Sequence, residues 1–258
     1  MTIREEIGKR ILFFDGGMGT LLQEQGLQAG ELPETWNLKN PEPIIQIHKA
    51  YLAAGADIIL ANTFGANRFK YGEDLEKIVT AGVANAKKAV AESGKKAYVA
   101  LDIGSTGKLL KPMGTLDFEE AVGVFAEIIR VGEKAGADLI EIGIPFSDPT
   151  AEGVVIQEAN IRSLGNGMTT DGVFEIVKRV REQSQIPLAF MTYVNPVFHY
   201  GYEKFFTKCE ELGISAIIIP DVPYEEKAEV EAPAKTHGVK VISMIAPTSE
   251  SRIRQIAS

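Results

Sequence analysis

A single cysteine, a single tryptophan and three histidines are spread through 258 residues. With Cys209 alone, no intrachain disulfide forms and no zinc centre can be built from several thiolates. That scarcity of thiols suits a reducing cytoplasm. His48, His199 and His237 lie far apart and show no metal-ligand spacing. His48 falls in a helical pattern and His237 just before a strand, so both read as packing or solvated side chains. No apolar run approaches membrane-spanning length. The charged N-terminus MTIREEIGKRILFF lacks an apolar h-region and a cleavage site, so no signal peptide is expected in it. Positive charge is in short supply too. A formal net charge of −8 argues against nucleic acid or an anionic membrane as the main partner, but not against a small anion held by backbone N–H groups. The glycines Gly16, Gly17 and Gly19 of DGGMGT fall short of the dinucleotide fingerprint GxGxxG, and no cofactor is expected.

Short apolar runs are present and regularly spaced: Ile11–Phe14, Asp57–Ala61, Ala97–Leu101, Asp138–Ile142, Leu188–Thr192, Ala216–Pro220 and Val239–Met244. Five of them follow a glycine suited to closing a helix with φ > 0, namely Gly55, Gly94, Gly136, Gly213 and Gly238. Pro187 punctuates the remaining internal case. The runs are continuous rather than alternating, as in parallel strands covered on both faces. Between them lie helical patterns. Phe118, Val122, Phe125 and Ile129 form one stripe, and Phe174, Val177, Val180 and Arg181 another, with Thr169, Thr170 or Asp171 as the N-cap of the second. The corners AAGADIIL (53–60) and KAGADLIE (134–141) nearly repeat. Repeated βα units of this kind predict an α/β fold of the TIM-barrel type in a single domain, 1–258. Seven strands are readable where a closed barrel has eight. The chain as given stops at a helical start, SESRIRQIAS. The expectation is an irregular barrel, or one whose open edge is completed by another chain as a homo-oligomer.

The stretch DLIEIGIPFSDPTAEGVVIQ, residues 138–157, carries the strongest chemical signal. A buried apolar run ends in Glu141, and a Gly/Pro-rich loop places a second acid, Glu152, eleven positions on. An acid at the end of a buried strand is costly unless it has a task, and functional residues of a parallel barrel sit at the C-terminal strand ends.

The strand ends of the first half are Asp15-Gly-Gly-Met-Gly-Thr20, Asn62-Thr-Phe-Gly-Ala-Asn67 and Asp102-Ile-Gly-Ser-Thr-Gly107. With PETWNLKNPEPIIQIHKAYLAAGAD, they make residues 1–130 resemble the homocysteine-binding barrel of cobalamin-dependent methionine synthase. The resemblance implies a small polar ligand oriented by Asp15 and Asn62. That family's zinc is held by late-barrel cysteines, including a Gly-Gly-Cys-Cys motif that this chain lacks, so no metal is expected. Without the metal, Asp15 and Asn62 read more readily as barrel-rim turn residues.

From residue 133 to 258 the motifs GADLIEIGIPFSDPTAEGVVIQ, IPLAFMTYVNPVFHYG, IIIPDVPYEE and ISMIAPTS, in that order, resemble the tryptophan synthase alpha subunit. That family cleaves indole-3-glycerol phosphate to indole and glyceraldehyde 3-phosphate. The resemblance implies that Glu141 protonates the indole ring carbon and Glu152, usually Asp in the family, handles the indole N–H. It also places Met191, Tyr193 and Ile218 in the indole pocket and Asp221 near the partner-facing side. Asp148 and Asp221 read equally well as turn and capping residues beside prolines. The family's β-subunit partner docks near 145–155 and 221–226. Its phosphate loops follow two later strands, which the given sequence does not contain.

The two halves together read as a chimeric barrel joined within the helix at about 118–135. The leading expectation is a scaffold with little or no native activity. A weak lyase using Glu141 and Glu152 is the alternative, and non-catalytic binding of homocysteine or a similar amino acid is a third.

Overall fold

The computed structural model describes residues 2–7, 9–104, 106–108, 111 and 114–256. Among them are six strands: β1 Ile58–Leu60, β2 Tyr98–Ile103, β3 Leu139–Gly143, β4 Leu188–Met191, β5 Ile214–Ile218 and β6 Lys240–Ile242. The longer helices are α1 Pro41–Ala54, α2 Leu75–Ser93, α3 Phe118–Lys134, α4 Val154–Gly165, α5 Thr170–Arg181, α6 Val194–Tyr200, α7 Tyr202–Glu211 and α8 Lys227–Thr236. Strands and helices alternate, and the paired strands run parallel, which is the α/β architecture of the TIM-barrel type. The chain forms two compact units, Met1–Thr106 with Glu119–Glu141, and Gly107–Phe118 with Ile142–Ser258.

In the first unit β1 pairs with β2 in the register Ile58–Tyr98, Ile59–Val99 and Leu60–Ala100. The Asp138 N–H then bonds to the Val99 carbonyl, where β3 begins beside β2. A helical turn at Ile3–Glu6 drops Ile3 onto Ile58, Tyr98, Ala100 and Leu139, at or near the starts of the three strands. Glu6, itself buried, pairs with Arg10 and Lys96, and Arg10 also reaches Asp57 at 2.8 Å. The opposite ends of these strands are thereby left for chemistry.

The first apolar run does not become a full strand. The Phe13 carbonyl accepts from Asp57 and Ile58, and the Asp15 N–H bonds to Ile58, but only one bridge, Phe14 to Ile58, forms. Two glycines follow at once, and Ile11 and Phe13 are 53% and 45% exposed, so little burial extends the pairing. Of the seven expected runs, six are strands and the first is an edge segment beside β1.

All five predicted corner glycines have positive φ, from 64° at Gly213 to 116° at Gly55. At Gly55 the amide bonds back to the carbonyls of Tyr51 and Leu52 and closes α1. The stripe on α3 is rotated from expectation. Ala121, Val124, Ile128 and Gly132 are buried with Val122 and Ile129, whereas Phe118 and Phe125 are half-buried. Small residues explain the rotation, because a Cβ at position 132 would meet Leu101 Cδ1 of β2 at 2.8 Å.

In the second unit β4, β5 and β6 are parallel neighbours, with a register shift between Leu188 and Ala189. Thr169 is the N-cap of α5, its hydroxyl accepting from the Gly172 N–H at 3.0 Å. Arg181, expected in the apolar stripe, donates instead to the carbonyls of Leu212, Ile186 and Gly213. The core is aromatic: Phe174, Phe190, Phe205 and Tyr200 pack at ring separations of 5.3–6.3 Å.

His48 on α1 is fully buried, and neither ring nitrogen has a hydrogen-bond partner among the described residues. Burial pushes its pKa from 6.5 down to about 4. As pH falls through that window the unfolded chain takes up a proton that the folded one refuses, so stability is lost. The drop amounts to roughly 3 kcal/mol. The melting temperature should therefore fall by roughly 5–10 °C more in the wild type than in His48→Leu between about pH 7 and about pH 4.5. Parallel thermal melts of the two proteins check this; equal falls would contradict it.

Candidate functional site

In the first unit three carboxylates stand on or just beyond the strands: Asp15 after the edge segment, Asp102 next to the last residue of β2 and Glu141 at the centre of β3. Glu141 follows the buried pair Leu139 and Ile140 and is itself half-buried; β3 runs on for two residues beyond it, so it lies within the strand and not at its end as expected. Burial pushes its pKa from 4.5 up to about 7. Asp15 follows the edge segment, and its Oδ2 accepts from the Leu60 N–H at 3.0 Å, while its buried Oδ1 has no hydrogen-bond partner among the described residues. Burial, reinforced by the charge of Glu141, raises Asp15 to about 7. Asp102, in β2, is held well above the usual carboxylate range by burial and by the charges of Glu141, Asp15 and Glu34. Like charges brought together out of water cannot all ionise near neutrality. The cluster therefore stores protons at pH 7, as a general acid must.

The motif residues around this cluster mostly fix the backbone. The Asn62 amide nitrogen donates to the Pro33 carbonyl and to Asn37 Oδ1. The Thr63 hydroxyl donates to the Asp102 carbonyl at 2.8 Å, and the Asp102 N–H bonds to the same hydroxyl. Gly104 lies so close to Phe64 that a Cβ would meet its ring at 2.6 Å. Glu34, buried, accepts from the Gly65 N–H and from the Tyr71 hydroxyl at 2.7 Å. Ser105, within the third motif, lies outside the described residues. Asp102 was not singled out from the sequence as a site residue, although it opens the third motif and stands next to the last residue of β2.

The second unit holds Glu152, Met191, Tyr193 and Ile218. Met191 ends β4 and is half-buried, and its carbonyl accepts from the Ile144 N–H. Ile218 ends β5, and its carbonyl accepts from the Thr192 N–H at 3.0 Å. Tyr193 is buried; its hydroxyl donates to Glu152 Oε2 and accepts from the Ala151 N–H at 2.9 Å. Burial, then the bond to Glu152, pushes the Tyr193 hydroxyl up to about 12. Asp221 Oδ1 accepts from the Val194 N–H at the start of α6. Asp148 accepts from the adjacent Ser147 hydroxyl. The expected site residues thus fall into two sets, Asp15, Asn62 and Glu141 in the first unit, and the rest in the second.

Two family models match the chain, homocysteine S-methyltransferase over residues 12–180 and tryptophan synthase alpha chain over 114–258. Each covers more than half of it. The chain belongs to both families. Both matches contain Glu141 and Glu152, and their overlap, 114–180, includes α3 and β3. Among curated relatives, the tryptophan synthase alpha chain of Alkaliphilus metalliredigens is 47% identical over 130 residues, 50% of this chain and 49% of that one. The Bacteroides thetaiotaomicron protein of the same name is 47% identical over 131 residues, covering 50% and 51%. The Bacillus thuringiensis alpha chain is 40% identical over 172 residues, covering 66% and 62%. The chain spans about half the length of most of these relatives. It is a two-part protein, methyltransferase-like in its first part and tryptophan synthase alpha-like in its second.

The zinc implied by the homocysteine-binding resemblance does not fit the residues present. The one thiol, Cys209, is buried in α7, and burial drives its pKa far up, whereas a zinc ligand must be a thiolate. Among the described residues no three His, Cys, Asp or Glu side chains converge as a metal-binding group. No described helix is long and apolar enough to cross a membrane.

Proposed function

We propose that the chain is a carbon–carbon lyase of the tryptophan synthase alpha type, acting on indole-3-glycerol phosphate. The observation that carries this reading is Glu141, half-buried at the centre of β3 after the buried pair Leu139 and Ile140, with its pKa raised to about 7. A carboxyl group that keeps its proton near neutrality can deliver it to the indole ring carbon C3. The glycerol hydroxyl next to the scissile bond then returns a proton to Glu141 as the carbon–carbon bond breaks. Indole and glyceraldehyde 3-phosphate leave, and Glu141 is protonated as at the start. Glu152 accepts the indole N–H and offsets the charge that develops on the nitrogen. Met191 and Ile218 supply apolar wall for the ring.

Indole release from indole-3-glycerol phosphate, followed by extraction and colour assay, tests the proposal on the intact chain. Indole formation that vanishes in Glu141→Gln supports it; no indole at any enzyme concentration overturns it.

One observation favours a second reading, a scaffold with little or no turnover. The two carboxylates belong to different compact units rather than to one, and catalysis by a positioned pair depends on holding both to within a fraction of an ångström. Failure of the indole assay with a cooperatively folded chain would select the scaffold.

A further inference from the structure

Tyr193 does more than wall a pocket. Its ring is buried two residues beyond the end of β4 and packs on Phe146, 5.4 Å between ring centroids, at the start of the loop that carries Glu152. Its hydroxyl has two partners on the far side of the same loop. It accepts from the Ala151 N–H at 2.9 Å and donates to Glu152 Oε2. Gln157, in the first turn of α4, holds the Glu152 carbonyl at 2.9 Å. The residue after Tyr193 is fixed as well, since the Val194 N–H bonds to Asp221 at 2.9 Å. One side chain just beyond a strand thus grips the loop at its entry, at a backbone amide and at the carboxylate itself. All of these groups lie within the second unit.

We infer that Tyr193 is a positioning residue that latches the loop 145–153 and sets where the Glu152 carboxylate stands. The hydroxyl occupies Oε2 and so leaves Oε1 as the oxygen available to an N–H donor. The inference rests on the lyase reading for its kinetic consequence, but the latch itself does not depend on it. A loop carboxylate has several rotatable bonds, and without a partner it would sample many rotamers. A buried phenol supplies that partner at little entropic cost of its own, because the ring is already held by packing. Misplacing a catalytic group by about 1 Å can cost on the order of 100-fold in rate.

The test uses the full chain and the variants Tyr193→Phe, Glu152→Asp and the two combined. Tyr193→Phe keeps the ring and removes only the hydroxyl. Amide hydrogen exchange across 145–153, read by mass spectrometry, should speed up about tenfold or more in Tyr193→Phe while the aromatic core stays protected. In the indole assay kcat should fall by roughly 10- to 100-fold with KM changed by less than about threefold. Glu152→Asp brings in the residue usual in the tryptophan synthase alpha family, and its shorter arm withdraws the carboxylate from the hydroxyl, so the bond is lost while the charge is kept. The double variant should be no worse than the weaker single one, because both remove the same bond. Losses that multiply in the double variant, or exchange that is unchanged in Tyr193→Phe, would overturn the latch. If no variant and no wild-type sample forms indole, the lyase reading has failed, and the exchange measurement alone still decides for or against the latch.

Discussion

Glu141→Gln is expected to lower indole formation by at least about 100-fold and, in the same protein, to raise stability above neutral pH. The two effects have one cause. Burial lifts the Glu141 pKa from 4.5 to about 7, so between those values the folded chain holds a proton that the unfolded chain has released. Stability from this group is fully present below about pH 4.5 and is lost as pH rises through about 7. Above that, the folded state carries a buried charge worth roughly 3 kcal/mol of lost stability. Glutamine has nearly the same shape and cannot ionise, so the variant escapes the penalty. Urea unfolding at about pH 8, beside the indole assay, reads both effects. A variant that keeps its activity would remove Glu141 from the mechanism. One that is inactive and also less stable would point to damage in β3 rather than to loss of an acid. The acidic neighbours sharpen the expectation, since Asp15 and Asp102 are raised in part by the charge that Glu141 acquires.

Phe205→Ala should cost about 3–5 kcal/mol of unfolding free energy, seen as a lower urea midpoint. Phe205 is fully buried on α7 and touches four rings: Phe174 at 5.3 Å, Phe190 at 6.3 Å, Tyr200 at 6.0 Å and Phe206 at 5.4 Å. Edge-on geometries of 62°, 85° and 84° to Phe174, Tyr200 and Phe206 add to the burial. Truncation removes the shared ring, and the cavity cannot collapse easily, because its walls come from α5, α6, α7 and β4. Strand β4 and the residues just after it carry Met191 and Tyr193, so the site should fail along with the core. Indole formation in the variant should then track the folded fraction across urea. Phe205→Leu keeps much of the volume and should fall between the two. A midpoint in Phe205→Ala equal to that of the wild type would show that these rings do not form the core of the second unit.

Features written in local chemistry were legible from the residues. The corner glycines, the Thr169 cap and the continuous apolar runs each need only their neighbours in sequence. The edge segment at Ile11–Phe14 was not legible as such, because run composition does not reveal how much of a run a partner strand will cover. Among the candidate residues, Glu141 stood out as an acid in an apolar run, although β3 runs two residues past it. Its raised pKa did not, since that depends on surroundings which include residues as distant in sequence as Asp15 and Asp102. The Tyr193–Glu152 bond spans 41 positions and follows no periodicity, so only the folded chain displays it. Asn62 suits either a ligand-orienting or a rim-turn role from sequence, and its amide nitrogen serves Asn37 and Pro33. Sequence carries the residue type, and tertiary packing decides which of its hydrogen bonds are already in use.

The close approach of α3 to β2 bears on how such chains can be assembled from parts. Gly132 comes from the helix where the two resemblances meet, and Leu101 comes from the first part. A Cβ at 132 would sit 2.8 Å from Leu101 Cδ1, so this one pair acts as a compatibility rule for exchange between barrels. A donor helix is accepted here if it brings glycine at this position, or if the host strand offers a side chain shorter than leucine. Libraries of recombined βα units built on this chain should therefore be enriched, among folded members, in one of those two solutions.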